Sequence, residues 1–151
     1  MATVVNIKNL TKGYQSIIDN GRHSIVGDEP IKSKGTDLGF SPTDLILSSL
    51  AFCKVATVRF VARRNGWNHL IRDVDGTLSM EVKRSNGKLS TQVTVALKID
   101  GDLTPEQEKE LIDQADKCYV HRMIEGDWEI ENATTLIDSS DSKKTTEAIS
   151  Q

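Results

Sequence analysis

The chain has 151 residues, enough for one domain, with a net charge of −3 and a pI near 5.6. Its 19 basic residues are interleaved with 22 acidic ones, and no basic run, Arg63-Arg64 and Lys143-Lys144 among them, exceeds two residues, which argues against a nucleic-acid partner. Met1-Ala2-Thr3 leads straight into strand-like sequence, and the longest mainly apolar stretch, 45–62, is broken by Ser48, Ser49, Lys54, Thr57 and Arg59. Neither a leader nor a membrane span is therefore expected.

The first thirty residues read as short strands and turns. Val4, Val5 and Ile7 precede the turn signal Thr11-Lys12-Gly13, and a strand over 14–18 follows. Asp19-Asn20-Gly21 then predicts a hairpin into 23–26, with Asn and Gly both at positive φ. Gly27-Asp28-Glu29-Pro30 closes this meander as a solvated loop, and Gly35 and Gly39 punctuate the loop over 31–40. Ser41 is suited to cap a helix, Pro42 to open it, and Asp44 to favour its positive end. From Leu45 to Ala62 apolar residues point in nearly every direction, which predicts a central helix buried on most sides, ending near Asn65-Gly66.

Two β runs follow, 74–82 and 89–99, joined at Ser85-Asn86-Gly87. Thr104, Pro105 and Gln107 form a capping-box pattern for an amphipathic helix running to about Cys118, with Leu111, Ile112 and Ala115 on its apolar side. Residues 128–137 read as a closing strand. The last stretch, 138–151, is almost entirely polar and is expected to be disordered, leaving one domain over 1–137. Strands in blocks separated by helices argue for an α+β fold. A helix apolar all round needs more cover than one small sheet supplies, so a homodimer sharing these helices is expected.

Without a leader the two cysteines are expected in a reducing cytoplasm, where they are either inert core residues or redox groups. Cys53, mid-helix, reads by itself as a small core hydrophobe. Cys118 lies among polar and basic groups in Asp116-Lys117-Cys118-Tyr119-Val120-His121-Arg122, where cations would favour a thiolate. His121 serves equally as a base beside Cys118 or as a histidine facing last-turn carbonyls. A zinc set of Cys53, Cys118, His121 and His69 lacks close ligand pairs and is set aside. No Gly-x-Ser-x-Gly elbow and no phosphate-binding glycine loop is present, which counts against a hydrolase.

Taken together, the two cysteine segments resemble a known family. Ser41-Pro42-Thr43-Asp44-Leu45-Ile46-Leu47-Ser48-Ser49-Leu50-Ala51-Phe52-Cys53 is similar to the S-P-x-E-L-L-L-A-A-L-A-x-C signature of OsmC/Ohr proteins, and Lys117-Cys118-Tyr119-Val120-His121-Arg122 to their K-C-P-V-H-R. Asn20-Gly21-Arg22-His23 and Gly27-Asp28-Glu29-Pro30 resemble a stretch of the OsmC-like branch. The resemblance implies antiparallel sheets wrapped around paired central helices in an intertwined homodimer. It implies a thiol peroxidase for organic or hydrogen peroxide, with Cys53 peroxidatic and Cys118 resolving, through a sulfenic acid and then a disulfide. Arg22 and Asp44 are the expected arginine and carboxylate of that site. A dithiol, such as a lipoylated protein, is the expected reductant, and no metal or organic cofactor is expected.

Three positions depart from the pattern: Thr43 stands where the Ohr branch has its carboxylate, Phe52 where a small residue is usual, and Tyr119 where proline is more common. Phe52 is expected to fill core. The alternative function is a non-catalytic protein on the same scaffold, holding an apolar ligand at the dimer interface.

Overall fold

The computed structural model describes residues 2–136. Three short strands open the chain: β1 (Asn6–Asn9), β2 (Ser16–Asp19) and β3 (Ser24–Gly27), an antiparallel meander in that order. The turn into β3 differs from the expected two-residue form. Asp19 pairs with Ser24, so four residues make the connection. Only Gly21 is left-handed there (φ 84°), because the Asn20 side chain holds the loop by accepting from the Arg22 and His23 amides.

The loop that follows is not the solvated one expected. Asp28 is buried and accepts from the amides of Glu29, Thr36 and Leu38 and from the Thr36 hydroxyl. Those four bonds fold residues 28–38 back on themselves. The chain passes so close that a Cβ on Gly35 would lie 1.8 Å from the Glu29 carbonyl oxygen. This Thr36 hydroxyl bond, with the three amides, holds the Asp28 carboxyl below its ordinary value against the opposing effect of burial.

The helix α1 (Pro42–Arg64) begins as its sequence dictates. The Ser41 side chain accepts from the Asp44 amide, and the Asp44 carboxylate accepts from the Ser41 amide. Gly66 takes the left-handed position after its end (φ 73°). α1 has 23 residues and its most apolar 18-residue window has a mean hydropathy of 1.7, so length and composition alone would let it cross a membrane. Packing is what makes it a core helix. Val58, Val61 and Ala62 join Ile71, Leu111 and Ala115 in the buried core, with Trp67, Val74, Leu97, Ile99 and Leu103 around them.

The expected burial on most sides is not met within one chain. The buried stripe is Leu50, Lys54, Val58, Val61 and Ala62, whereas Ile46, Phe52 and Phe60 stand in solvent. Phe52 is 76% exposed, so it does not fill the protomer core. The reason is geometric: the other described elements reach one side of the helix.

A long hairpin, β4 (Ile71–Ser85) and β5 (Lys88–Gly101), turns through Asn86 and Gly87, both left-handed as a two-residue turn requires. At roughly 3.4 Å per residue it is about 50 Å long, against about 35 Å for α1. Its far end therefore outruns the helix and leaves Val82 and Leu89 exposed.

The next helix, α2 (Pro105–Ala115), is capped by Thr104 and Gln107 as predicted, and packs Leu111 and Ala115 onto α1. It stops short of Cys118, which instead caps a separate short helix, α3 (Tyr119–Glu125). The expected closing strand does not form among the described residues: 127–136 has no regular structure, and Trp128 and Ile130 are exposed because no sheet edge lies against them. Ile137 and the polar tail 138–151 lie outside the described residues.

Candidate active site

Cys53 and Cys118 meet where α1 touches α3. Cys53 sits half-buried in the middle of α1, and the Val120 amide of α3 donates to its Sγ at 3.4 Å. Cys118 is 2% exposed, much more enclosed than its neighbourhood of polar sequence suggests. It is held in extended conformation at the head of α3, its own amide donating to the Ala115 carbonyl and its carbonyl accepting from Arg122. Both thiols are free, and the Cys53 sulfur is a hydrogen-bonding neighbour of Cys118. Two thiols from residues 65 apart in sequence are thus neighbours, and an oxidant that takes two electrons and two protons from the pair would leave a disulfide.

Burial pushes the Cys118 thiol above its ordinary value; the His121 amide opposes this, the Cys53 sulfur adds to it, and the positive charge of Lys54 opposes it. Lys54 was not singled out as a site residue by the sequence motifs. Its side chain is fully buried, and its Nζ lies 3.2 Å from the Ala115 carbonyl oxygen, 3.2 Å from Asp116 Oδ1 and 3.0 Å from His121 Nδ1. The other ring nitrogen of His121, Nε2, lies 3.1 Å from a Glu125 carboxylate oxygen. His121 thus faces Lys54 on one side and Glu125 on the other, the role neither of its two expected uses described. A signal for Lys54 existed in the sequence: it is the single charged residue between Asp44 and Arg59 on an otherwise uncharged helix face set.

Arg22 and Asp44 are not brought to the cysteines within the chain. Asp44 lies nine residues before Cys53, about 13 Å along the helix axis. Its carboxyl is engaged in the capping box, and the Ser41 hydroxyl and amide hold it below its ordinary value. Arg22 sits at the exposed β2–β3 turn, and among the described residues no hydrogen bond or ion pair joins its side chain to either cysteine. His69 lies in the single-turn helix Asn68–Leu70 before β4, and among the described residues no cluster of metal-binding side chains forms.

Next to this site, a groove of about 240 Å³ runs between α1, β5 and α3, walled by Leu50, Val93, Val95 and Ile124 with Lys54 and His121 in its floor.

The family model described as OsmC-like protein matches residues 35–132, well over half of the chain and including both cysteine segments. The chain belongs to the OsmC-like family. Solved structures of similar shape include an OsmC-like protein of Mycoplasma pneumoniae, 20% identical, TM-score 0.64, covering 83% of this chain and 89% of that one. An organic hydroperoxide resistance protein, OsmC, of Legionella pneumophila is 19% identical with TM-score 0.65, covering 83% and 90% respectively. The organic hydroperoxide resistance protein OhrB of Bacillus subtilis is 20% identical with TM-score 0.61, covering 83% and 92%. At these identities the likeness is one of fold. No curated protein sequence matches this one.

Proposed function

We propose that this OsmC-like protein is a thiol-dependent peroxidase that reduces organic hydroperoxides or hydrogen peroxide in the cytoplasm. The observation that carries the reading is the pairing of a half-buried cysteine with an enclosed one. The half-burial of Cys53 favours it as the thiol that meets a peroxide, and the enclosure of Cys118 beside it, at 2% exposed, favours it as the thiol that meets Cys53. The Cys53 thiolate attacks the O–O bond, releasing an alcohol or water and becoming a sulfenic acid. Cys118 then attacks the sulfenic sulfur; the S–S bond forms, the S–O bond breaks, and hydroxide leaves. An external dithiol, of which a lipoylated protein is one class, returns both sulfurs to thiols. The names of the Legionella and Bacillus proteins, which speak of organic hydroperoxide resistance, favour the same chemistry.

The working form is a homodimer. The exposed Ile46, Phe52 and Phe60 of α1 and the uncovered Val82 and Leu89 of the hairpin together make a larger apolar surface than an isolated protomer carries to advantage. Arg22 and Asp44 serve the site only if a second copy presents them to Cys53, since neither reaches it within its own chain.

The test is a thiol titration of reduced protein before and after one equivalent of an organic hydroperoxide, with mass spectrometry for a Cys53–Cys118 cross-link. Loss of both thiols with the cross-link formed is expected. Survival of both thiols would remove the peroxidase and leave the non-catalytic protein that holds an apolar ligand between subunits.

A further inference from the structure

Lys54 is placed where neither the family motifs nor the proposed chemistry requires a residue. An ammonium with no exposure to water is costly unless each of its protons finds an acceptor. Here three acceptors are present: the Ala115 carbonyl, Asp116 Oδ1 and His121 Nδ1. They bracket Cys118 in sequence, two just before it and one just after. The Lys54 side chain therefore ties the connection that carries Cys118 to the same helix that carries Cys53. Glu125, on the far ring nitrogen of His121, completes a chain of four side chains from Asp116 through Lys54 and His121.

We propose that Lys54 is a positioning residue of the redox pair, whose buried charge holds the Cys118 turn against α1 and makes the Cys118 sulfur competent to attack oxidised Cys53. This rests on the peroxidase reading for its second half only. The need for such a charge follows from the enclosure of Cys118. Attack requires the thiolate, and a thiol cut off from water gives up its proton reluctantly. The titratable and charged groups around Cys118 are Cys53 and Lys54 from α1, Asp116 and the exposed Lys117 from the α2–α3 connection, and the exposed Tyr119 and Arg122 with His121 and its partner Glu125 from α3. The stretch of β5 that closes the nearby groove contributes Thr91, Val93 and Val95, none of them charged. Lys54 is the one buried cation in this set. In the step it assists, the Cys118 sulfur is oxidised and the Cys53 sulfenic sulfur reduced as the S–S bond forms; the hydroxide that leaves takes a proton from water-borne acid.

The experiment separates charge from tether. In a Cys53→Ser background Cys118 is the remaining thiol, and its thiolate is followed by ultraviolet absorbance against pH, which needs no reagent to enter the site. Lys54→Met removes charge and donors; Lys54→Gln removes the charge and keeps N–H donors; Lys54→Arg keeps the charge. Circular dichroism checks that each is folded. The Met and Gln variants are expected to move the Cys118 midpoint upward, and Arg to move it less. A Lys54→Gln midpoint equal to that of the parent would overturn the proposal, since a tether alone would then suffice. If Lys54→Met does not fold, the Gln and Arg pair decides.

With both cysteines present, the Lys54→Gln protein treated with one equivalent of cumene hydroperoxide should form the disulfide more slowly at neutral pH, by less than the fall in thiolate because a more basic thiolate is the better nucleophile. Sulfenic acid at Cys53, trapped by a dimedone probe, should accumulate in its place. Disulfide formation at the parent rate overturns the assignment. Should the parent protein itself form no sulfenic acid, the peroxidase reading fails, and the pH titration in the Cys53→Ser background judges Lys54 independently.

Discussion

Replacing Phe60 by alanine tests whether the bare side of α1 is an interface. Phe60 is 63% exposed in the protomer, and its visible partner is the Arg64 guanidinium, 5.9 Å from the ring centre. An exposed contact of that kind contributes only about 0.5–1 kcal/mol, so truncation should barely disturb the folded protomer. In a dimer that covers the ring the cost is different. Burying a whole phenylalanine side chain contributes about 1.5–3 kcal/mol, so the part still exposed is worth about 1–2 kcal/mol. A two-fold axis counts the residue twice, giving about 2–4 kcal/mol, or on the order of 30- to 1,000-fold in Kd. Phe60 also lies two helical turns beyond Cys53, which keeps the substitution away from the sulfurs. Sedimentation equilibrium over a wide range of protein concentration measures the dimer Kd directly. A parent protein that sediments as a monomer at micromolar concentration, or a Phe60→Ala Kd equal to the parent's, would refute the argument that a second copy covers this strip.

Three further outcomes are expected. Leu111→Ala empties a fully buried site between α2 and α1 and should cost about 2–5 kcal/mol in urea unfolding; a loss under about 1 kcal/mol would mean that α2 is not docked as described. Ser41→Ala breaks the capping box at the head of α1 and should cost about 1 kcal/mol by the same assay, with Ser41→Asn close to the parent. The acid limb of stability should carry the mark of Asp28 and Asp44, whose carboxyls both sit below the usual 3.8 in the folded chain, the first chiefly through the Thr36 hydroxyl and the second through that of Ser41. A depressed value means that the native state prefers the ionised form, so their stabilisation is complete above the unfolded value and drains away as pH falls through the folded one. Thr36→Val should therefore flatten the fall in urea midpoint below about pH 4; an unchanged acid limb would show that Asp28 is not held by that hydroxyl.

Local chemistry wrote much of this structure into the sequence. Ser41-Pro42 with Asp44, and Thr104-Pro105 with Gln107, start their helices where the capping groups lie within three residues of the amides they satisfy. Asn86-Gly87 turns the long hairpin because both residues accept positive φ. The cysteine segments were legible too, as motifs tied to a family. What sequence could not supply was the choice of partners across long separations. It marked Asp28 as a solvated acid, yet four donors from 29–38 bury it. It placed Cys118 on an open helix end, yet α1 closes over it, and it passed by Lys54, whose three acceptors lie 61 to 67 residues further on. It expected strand from 128 onward, but alternation makes a strand only where an edge waits to pair. An apolar residue announces that it will be covered; which surface covers it, as for Phe52 and Phe60, is a property of the assembled shape and not of the residue.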